Sequence, residues 1–220
     1  MINPFACAGR ALRVWRKSKD ILEKGYIEMT VLETEYAGHA KEYSQEMNLD
    51  SFDKIVTCSG DGLIHEIING LLNREDKAYL KNPVPFGVLP GGTSDGLGKT
   101  ILEMSGEAYG LENQILCILR GKPRKIDLCE IEFRNRSDRV YSFLLMCFGM
   151  LSDIDLESEV LRCLGDSRLW IWALWRSMKL RRYNITFSYI GEEIENRKEY
   201  SGNLDLRVKK SVDDQADSGE

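Results

Sequence analysis

The sequence predicts an α/β fold: an N-terminal Rossmann-like parallel sheet with helices on both faces, followed by a mainly antiparallel β region with inserted helices. Three observations carry this. Short apolar runs alternate with amphipathic stretches from residue 1 to about residue 120, the pattern of successive βα units. After residue 125 two strand-like runs face each other across the polar "RNRSDR", as an antiparallel pair does. Two of the early runs end in glycine, "CSGDG" and "LPGG", where a parallel strand turns into a loop or helix.

The elements follow in order. Met1 and Ile2 precede Asn3-Pro4, so only a stub of a first central strand is expected. Residues 10–24 carry Leu12, Trp15, Ile21 and Leu22 on one helical face. "YIEMTVLET", residues 26–34, is β-branched enough to read as a strand. Residues 37–49 are polar and helical. "DKIVTC", residues 53–58, is a buried strand, and residues 62–74 place Leu63, Ile67, Ile68, Leu71 and Leu72 at helical spacing. "FGVLP" is the next strand and residues 109–120 the next helix. A boundary falls near Gly121. Strands at 125–133 and 140–148 follow, then helices at 155–164 and 168–180 and a strand at 184–190. The expected division is 1–121 as an α/β domain and 122–205 as a partial β-rich domain with helices between 155 and 180. The polar, acidic residues 206–220 are expected to be a disordered tail.

Net charge is -5 over 220 residues, so no basic footprint for nucleic acid is present. The six cysteines lack CxxC pairing and read as reduced thiols of a cytoplasmic protein. The longest apolar run, residues 140–151, is too short to span a bilayer, and no signal peptide opens the chain.

"GVLPGGTSDGLGKT" ends like a P-loop but is not one. Counting back from Gly98-Lys99, the first glycine of that motif would stand at Thr93; Gly92 is one residue early and Gly91 two. In "CSGDGLIHEIING", Gly60 and Gly62 flank Asp61 at a strand end that opens a helix. The glycines permit close approach of a ligand, and the helix N-terminus favours an anion. A carboxylate there suits a base for an incoming hydroxyl or a metal partner; it also suits a helix cap.

Together, "SGDGLIHEIINGLL" and "LPGGTSDG" resemble the catalytic domain of the diacylglycerol kinase and sphingosine kinase superfamily of lipid kinases. Gly91-Gly92-Thr93 is then the second phosphate loop. "NPFACAGRA", "ETEYAGHA" and above all "GMLSDIDLESEVLRCLGDSR" resemble the sphingosine kinases within it. The resemblance implies phosphorylation of the primary hydroxyl of a sphingoid base, with ATP and Mg²⁺. It implies that Asp61 is the base. It implies that Asn3, Thr34, Ser59, Gly60, Gly62, Glu66, Gly91, Gly92 and Thr93 line the nucleotide, with Arg162 and Arg168 reaching its phosphates. Asp155 would hold the sphingoid head group, and Met150, Leu151, Leu169, Trp170 and Ala173 would line the lipid. A partly buried carboxylate is the natural partner of an ammonium, whereas "DIDLESE" alone reads as an acidic helix start. "RLWIWALWRSMKLRR", with Trp170, Trp172 and Trp175 among basic residues, suits either an interfacial helix for transient, peripheral membrane contact or a core helix with basic ends. Two departures stand out. Ser94-Asp95 replaces the family's Gly-Asn, so strain at Ser94 and repulsion between Asp95 and phosphate are expected. The family also continues through a longer second domain, so a truncated catalytic region is expected.

Overall fold

The computed structural model describes residues 1–7, 9–133, 138–165, 167–184, 188–189 and 207–208. The chain forms two compact units, Met1–Met146 and Cys147–Glu220.

The first unit is built on two parallel strands, β1 (Ile55–Ser59) and β2 (Phe86–Pro90), in register from Ile55↔Phe86 to Ser59↔Pro90. Ile2 adds a further parallel bridge to Cys58, and another to Glu33. Both faces of β1 and β2 are covered, so these strands read as continuous apolar runs. On one face α1 (Arg10–Lys24) and α6 (Leu111–Arg120) bury Ala11, Leu22, Ile115 and Ile118 against Cys58 and Leu89. Gly87 lets α6 approach, since a Cβ there would lie 2.8 Å from Ile118 Cγ1. On the other face stands α3 (Asp61–Leu72). Its Ile64, Ile68 and Leu72 meet Val88, while Leu63, Ile67 and Leu71 meet Ile55 and Ala40 of α2 (His39–Glu46).

That central position of α3 has a testable cost. A Cβ on Gly70 would lie 2.4 Å from the Lys41 carbonyl oxygen and 2.8 Å from Ser44 Cβ. Helix propensity favours alanine over glycine by about 1 kcal/mol, but overpacking against rigid backbone costs about 1–3 kcal/mol. Gly70→Ala is therefore expected to lower the urea unfolding midpoint. A raised midpoint would show that α2 and α3 cross less closely.

One expectation changes and a helix is added. Residues 26–34 do not form a regular strand. Their ladder contact among the described residues is with Ile2, through Ile2 N–H to Leu32 O (2.8 Å) and Thr34 N–H to Ile2 O (2.8 Å). A cavity of about 520 Å³, lined by Trp15, Leu22, Ile27, Met29 and Val56 among others, lies beside the rest of the segment. β-Branched content without a neighbouring edge gives extended chain rather than a strand. Gly96–Met104 forms a helix, α5, which the glycines of "SDGLGKT" argue against. Gly98-Lys99-Thr100 lies inside it, not in a phosphate loop. A short helix, α4 (Ala78–Lys81), precedes β2.

β3 (Cys129–Glu132) and β4 (Arg139–Ser142) pair antiparallel as expected. They belong to the first unit, and the composition change near Gly121 falls inside it. Buried Asn69 of α3 fastens β4: its side chain donates to Tyr141 O and accepts from Tyr141 N–H, both at 2.8 Å.

In the second unit α7 (Met150–Glu157) runs into a 3-10 stretch, Ser158–Leu164, and then α8 (Ser167–Met178). Glu157 locks the pair. It accepts from Trp172 Nε1 (2.9 Å), pairs with buried Arg176, and meets Arg181 at 2.9 Å. Hydrogen bonds from Arg176 and Trp172 hold its carboxyl down at about 2. Of the strand expected at 184–190, Ser188–Tyr189 (β5) pairs in parallel with Arg207–Val208 (β6). The rest of 206–220 lies outside the described residues.

Candidate active site

Three loops of the first unit meet where β1 and β2 end. Gly91 N–H donates to Ser59 O (3.1 Å). A Cβ on Gly92 would fall 2.2 Å from Gly60 Cα and 2.6 Å from Gly60 N, so the two glycine loops pack backbone to backbone. The first loop joins them. Asn3 N–H donates to Cys58 O (3.3 Å), and Cys7 Sγ lies 2.9 Å from Thr93 Oγ1. Cys7 holds a left-handed backbone, φ 45°.

Asp61 opens α3 yet caps a different helix. Its Oδ2 accepts from Gly96 N–H (2.8 Å) and its Oδ1 from Leu97 N–H (3.1 Å), the first turn of α5. The cap reading thus holds for α5 and not for the helix that Asp61 opens. The cap fixes its position, and each oxygen keeps a lone pair for a further donor. α1 and α3 begin on Gly9 and Gly60 without a side-chain cap, which leaves first-turn N–H groups for an anion. A Cβ on Gly62 would meet nothing within 4 Å, so the space over the start of α3 is open. This cradle fits a phosphate-bearing nucleotide. Among the described residues no group of three or more His, Cys, Asp or Glu is arranged to hold a metal ion.

Of the other expected nucleotide residues of this unit, Asn3 belongs to the first loop, Thr34 pairs with Ile2, the residue before Asn3, and Glu66 lies farther along α3. Thr34 is buried, its hydroxyl 3.4 Å from Ile2 O. Asn3 Oδ1 accepts from Phe5 N–H (3.0 Å). Glu66 Oε2 accepts from Gly38 N–H (3.1 Å), tying the start of α2 to α3.

The second loop corrects both expectations about Ser94-Asp95. The left-handed residue is Asp95 (φ 47°), not Ser94. The Asp95 side chain turns into the protein, 1% exposed, so it does not lie open to a phosphate. Its Oδ2 accepts from Tyr109 OH (3.0 Å) and Gln114 Nε2 (2.7 Å). Burial raises its pKa, and burial together with Asp95 pushes Tyr109 up to about 12. Tyr109 and Gln114 are the residues that sequence reasoning missed. No local pattern ties them to Asp95.

The second unit holds the remaining candidates. Asp155 is 75% exposed at its side chain rather than partly buried, and lies 3.9 Å from Arg168 Nη2. Arg168 pairs with Glu159 at 2.7 Å and donates to Ser158 Oγ at 3.0 Å. The side chain of Arg162 lies outside the described residues. Met150, Leu151 and Trp170 are exposed, while Leu169 and Ala173 are half-buried. Of the tryptophans, Trp170 is 80% exposed, Trp172 turns to Glu157, and Trp175 lies under the Lys179 ammonium at 4.3 Å. Among the described residues no helix is long and apolar enough to cross a membrane.

Sphingosine kinase 2 of Arabidopsis thaliana is 36% identical over 185 residues, 83% of this chain and 38% of the relative. Sphingosine kinase 2 of Homo sapiens is 34% identical over 203 residues, 89% of this chain and 30% of the relative. Sphingoid long chain base kinase 5 of Saccharomyces cerevisiae is 29% identical over 83% of this chain and 26% of the relative. The chain therefore spans well under half the length of these three relatives. A crystal structure of a diacylglycerol kinase from Bacillus anthracis str. Sterne aligns with a TM-score of 0.46 at 24% identity, covering 58% of this chain and 40% of that one. Residues 1–131 match the family model described as diacylglycerol kinase catalytic domain. That stretch contains all three converging loops, and with it the chain belongs to the diacylglycerol kinase catalytic domain family.

Proposed function

We propose that this chain is the catalytic region of a lipid kinase that transfers the γ-phosphoryl group of ATP to the primary hydroxyl of a sphingoid long-chain base. The observation that carries this reading is Asp61, fixed by two backbone N–H groups beside an open, uncapped helix start. The substrate hydroxyl gives its proton to a free lone pair of Asp61 while its oxygen bonds to the γ-phosphorus. The bond to the bridging oxygen breaks, and its electrons leave on ADP. The glycine loops and first-turn N–H groups orient the phosphates. Mg²⁺, brought with the nucleotide, supplies charge neutralisation there.

Support for a sphingoid substrate comes from the names of the relatives and from Asp155, whose charge complements a long-chain ammonium. Arg162 and Arg168 are the proposed phosphate contacts from the second unit. Glu159 and Ser158 engage Arg168 Nη1, so its other N–H groups would make the contact. The half-buried and exposed apolar side chains of α7 and α8, including Leu151 and Trp170, would take the alkyl chain during peripheral contact with a membrane.

The test offers labelled ATP with sphingosine, diacylglycerol and ceramide in the same micelles. Label in sphingosine is expected. Label chiefly in diacylglycerol or ceramide would overturn the substrate class. Bound ATP with no label in any lipid would point to a non-catalytic, lipid-binding or regulatory relative.

Asp155→Asn probes the head-group contact. A charge-assisted hydrogen bond contributes about 1.5–3 kcal/mol, and the exposure of Asp155 puts it at the low end. The KM for sphingosine is expected to rise about tenfold, with the KM for ATP within about twofold. Equal changes in both would place Asp155 in the scaffold.

A further inference from the structure

We infer that Asp95 is held as a neutral, protonated carboxyl that positions the Asp61 cradle. The geometry is a count of donors. Asp95 Oδ2 already accepts two hydrogen bonds, from Tyr109 and Gln114. Asp95 Oδ1 and Gln114 Oε1 are both buried, and neither has a hydrogen-bond partner among the described residues. An ionised Asp95 leaves two buried acceptors facing no donor. A proton on Oδ1 supplies one: it donates to Gln114 Oε1 while Gln114 Nε2 donates to Oδ2, the paired ring that a carboxylic acid forms with a primary amide. Space for this pair comes from Gly98, where a Cβ would lie 2.3 Å from Gln114 Nε2 and 2.5 Å from Asp95 Oδ1.

The groups around Asp95 are few. Asp61 at the start of α3 disfavours a second negative charge. Lys99 on α5 favours one but stands over the Tyr109 ring at 5.4 Å. Arg10 on α1 acts on Tyr109. The hydrogen bonds from Gln114 and Tyr109 favour the charge, and burial, the largest effect, leaves the pKa raised all the same.

The consequence lies in the chain. Asp95 is the N-cap of α5, and the next two residues, Gly96 and Leu97, hold Asp61. Charging Asp95 would strain the pair with Gln114 and so loosen the turn that presents those two N–H groups. The link to catalysis rests on the proposed role of Asp61; the protonation itself does not.

The sign follows from the raised folded pKa. Asp95 contributes stability that is fully present below its unfolded pKa, 3.8, and is lost as pH rises through the folded value. Asp95→Asn supplies the donor permanently. The test follows the thermal midpoint of wild type and Asp95→Asn from about pH 5 to about pH 8, with infrared detection of a protonated carboxyl. Wild type is expected to lose stability relative to the variant as pH rises, and to show a protonated-carboxyl band that the variant lacks. The alkaline limb of the wild-type kinase profile is expected to flatten in the variant. Parallel stability profiles, or no such band in wild type above about pH 5, would overturn the inference whether or not the protein is a kinase. The infrared measurement needs only wild type, so a variant that fails to fold leaves it decisive. Matching stability results with an unchanged kinase profile would overturn the positioning role alone.

Discussion

Asp61→Asn is expected to remove phosphoryl transfer and leave ATP affinity within a few-fold of wild type. A positioned base contributes about 10²–10⁴ in rate, and an amide cannot take the hydroxyl proton. The proposed nucleotide contacts, the glycine loops and first-turn N–H groups together with the side chains of Thr34, Glu66, Arg162 and Arg168, are not changed by the substitution. One complication has a definite sign. Asparagine keeps one carbonyl oxygen but turns the other oxygen into an NH₂ donor. Either Gly96 N–H or Leu97 N–H then faces a donor instead of an acceptor. A modest fall in thermal midpoint, equivalent to about 1–3 kcal/mol, is expected beside the kinetic loss. The two effects separate by measurement: calorimetry reports the cap, and single-turnover kinetics with saturating ATP report the base. A variant that still phosphorylates sphingosine near the wild-type rate would remove Asp61 from the chemistry and leave it only as the cap of α5.

The parts of this site that a reader of the sequence can find are those with a local cause. β1 and β2 are buried on both faces, so each appears as a short apolar run, and each ends in glycine because the two loops must touch. Asp61 stands between glycines and draws attention for that reason. The parts that stay hidden have distant causes. α5 carries Gly96 and Gly98, which argue against a helix, and it forms because a carboxylate 35 residues upstream caps it while Leu97 and Leu102 are buried. The inward turn of Asp95 depends on Gln114, 19 residues on. Residues 26–34 fail in the opposite sense. Their β-branched content is real, but a strand is a property of two edges, and beyond Ile2 the neighbouring edge is separated by a cavity. In the second unit the acidic "DIDLESE" reads as a helix start or a ligand site. What the structure adds is that Glu157 of that run closes onto Arg176 from the next helix.

Gly92→Ala carries the other large expected effect, and its contrast with Gly62→Ala separates architecture from ligand contact. At Gly92 a Cβ would lie 2.2 Å from Gly60 Cα, where carbon atoms prefer about 3.5–4.0 Å. The atoms it meets are backbone, so no rotamer change relieves the contact, and the two loops must part by more than about 1 Å. Asp95 and Gly96 lie just beyond Gly92, so the N–H groups that hold Asp61 shift with the loop. Misplacement of that size costs about 10² in rate, and Gly92→Ala is expected to lose at least that in kcat with a lowered thermal midpoint. Gly62 is the converse case. A Cβ there meets nothing within 4 Å, and alanine is the better helix former by about 1 kcal/mol, so Gly62→Ala is expected to leave stability unchanged or raise it. If a phosphate lies over the start of α3, the added methyl stands in its way, and ATP affinity falls while the fold does not. Wild-type kinetics in Gly92→Ala would mean that the two glycine loops are not apposed. Unchanged ATP affinity in Gly62→Ala would move the phosphate site away from the first turn of α3, because among the described residues nothing beyond its own helix and chain neighbours lies within 4 Å of the methyl.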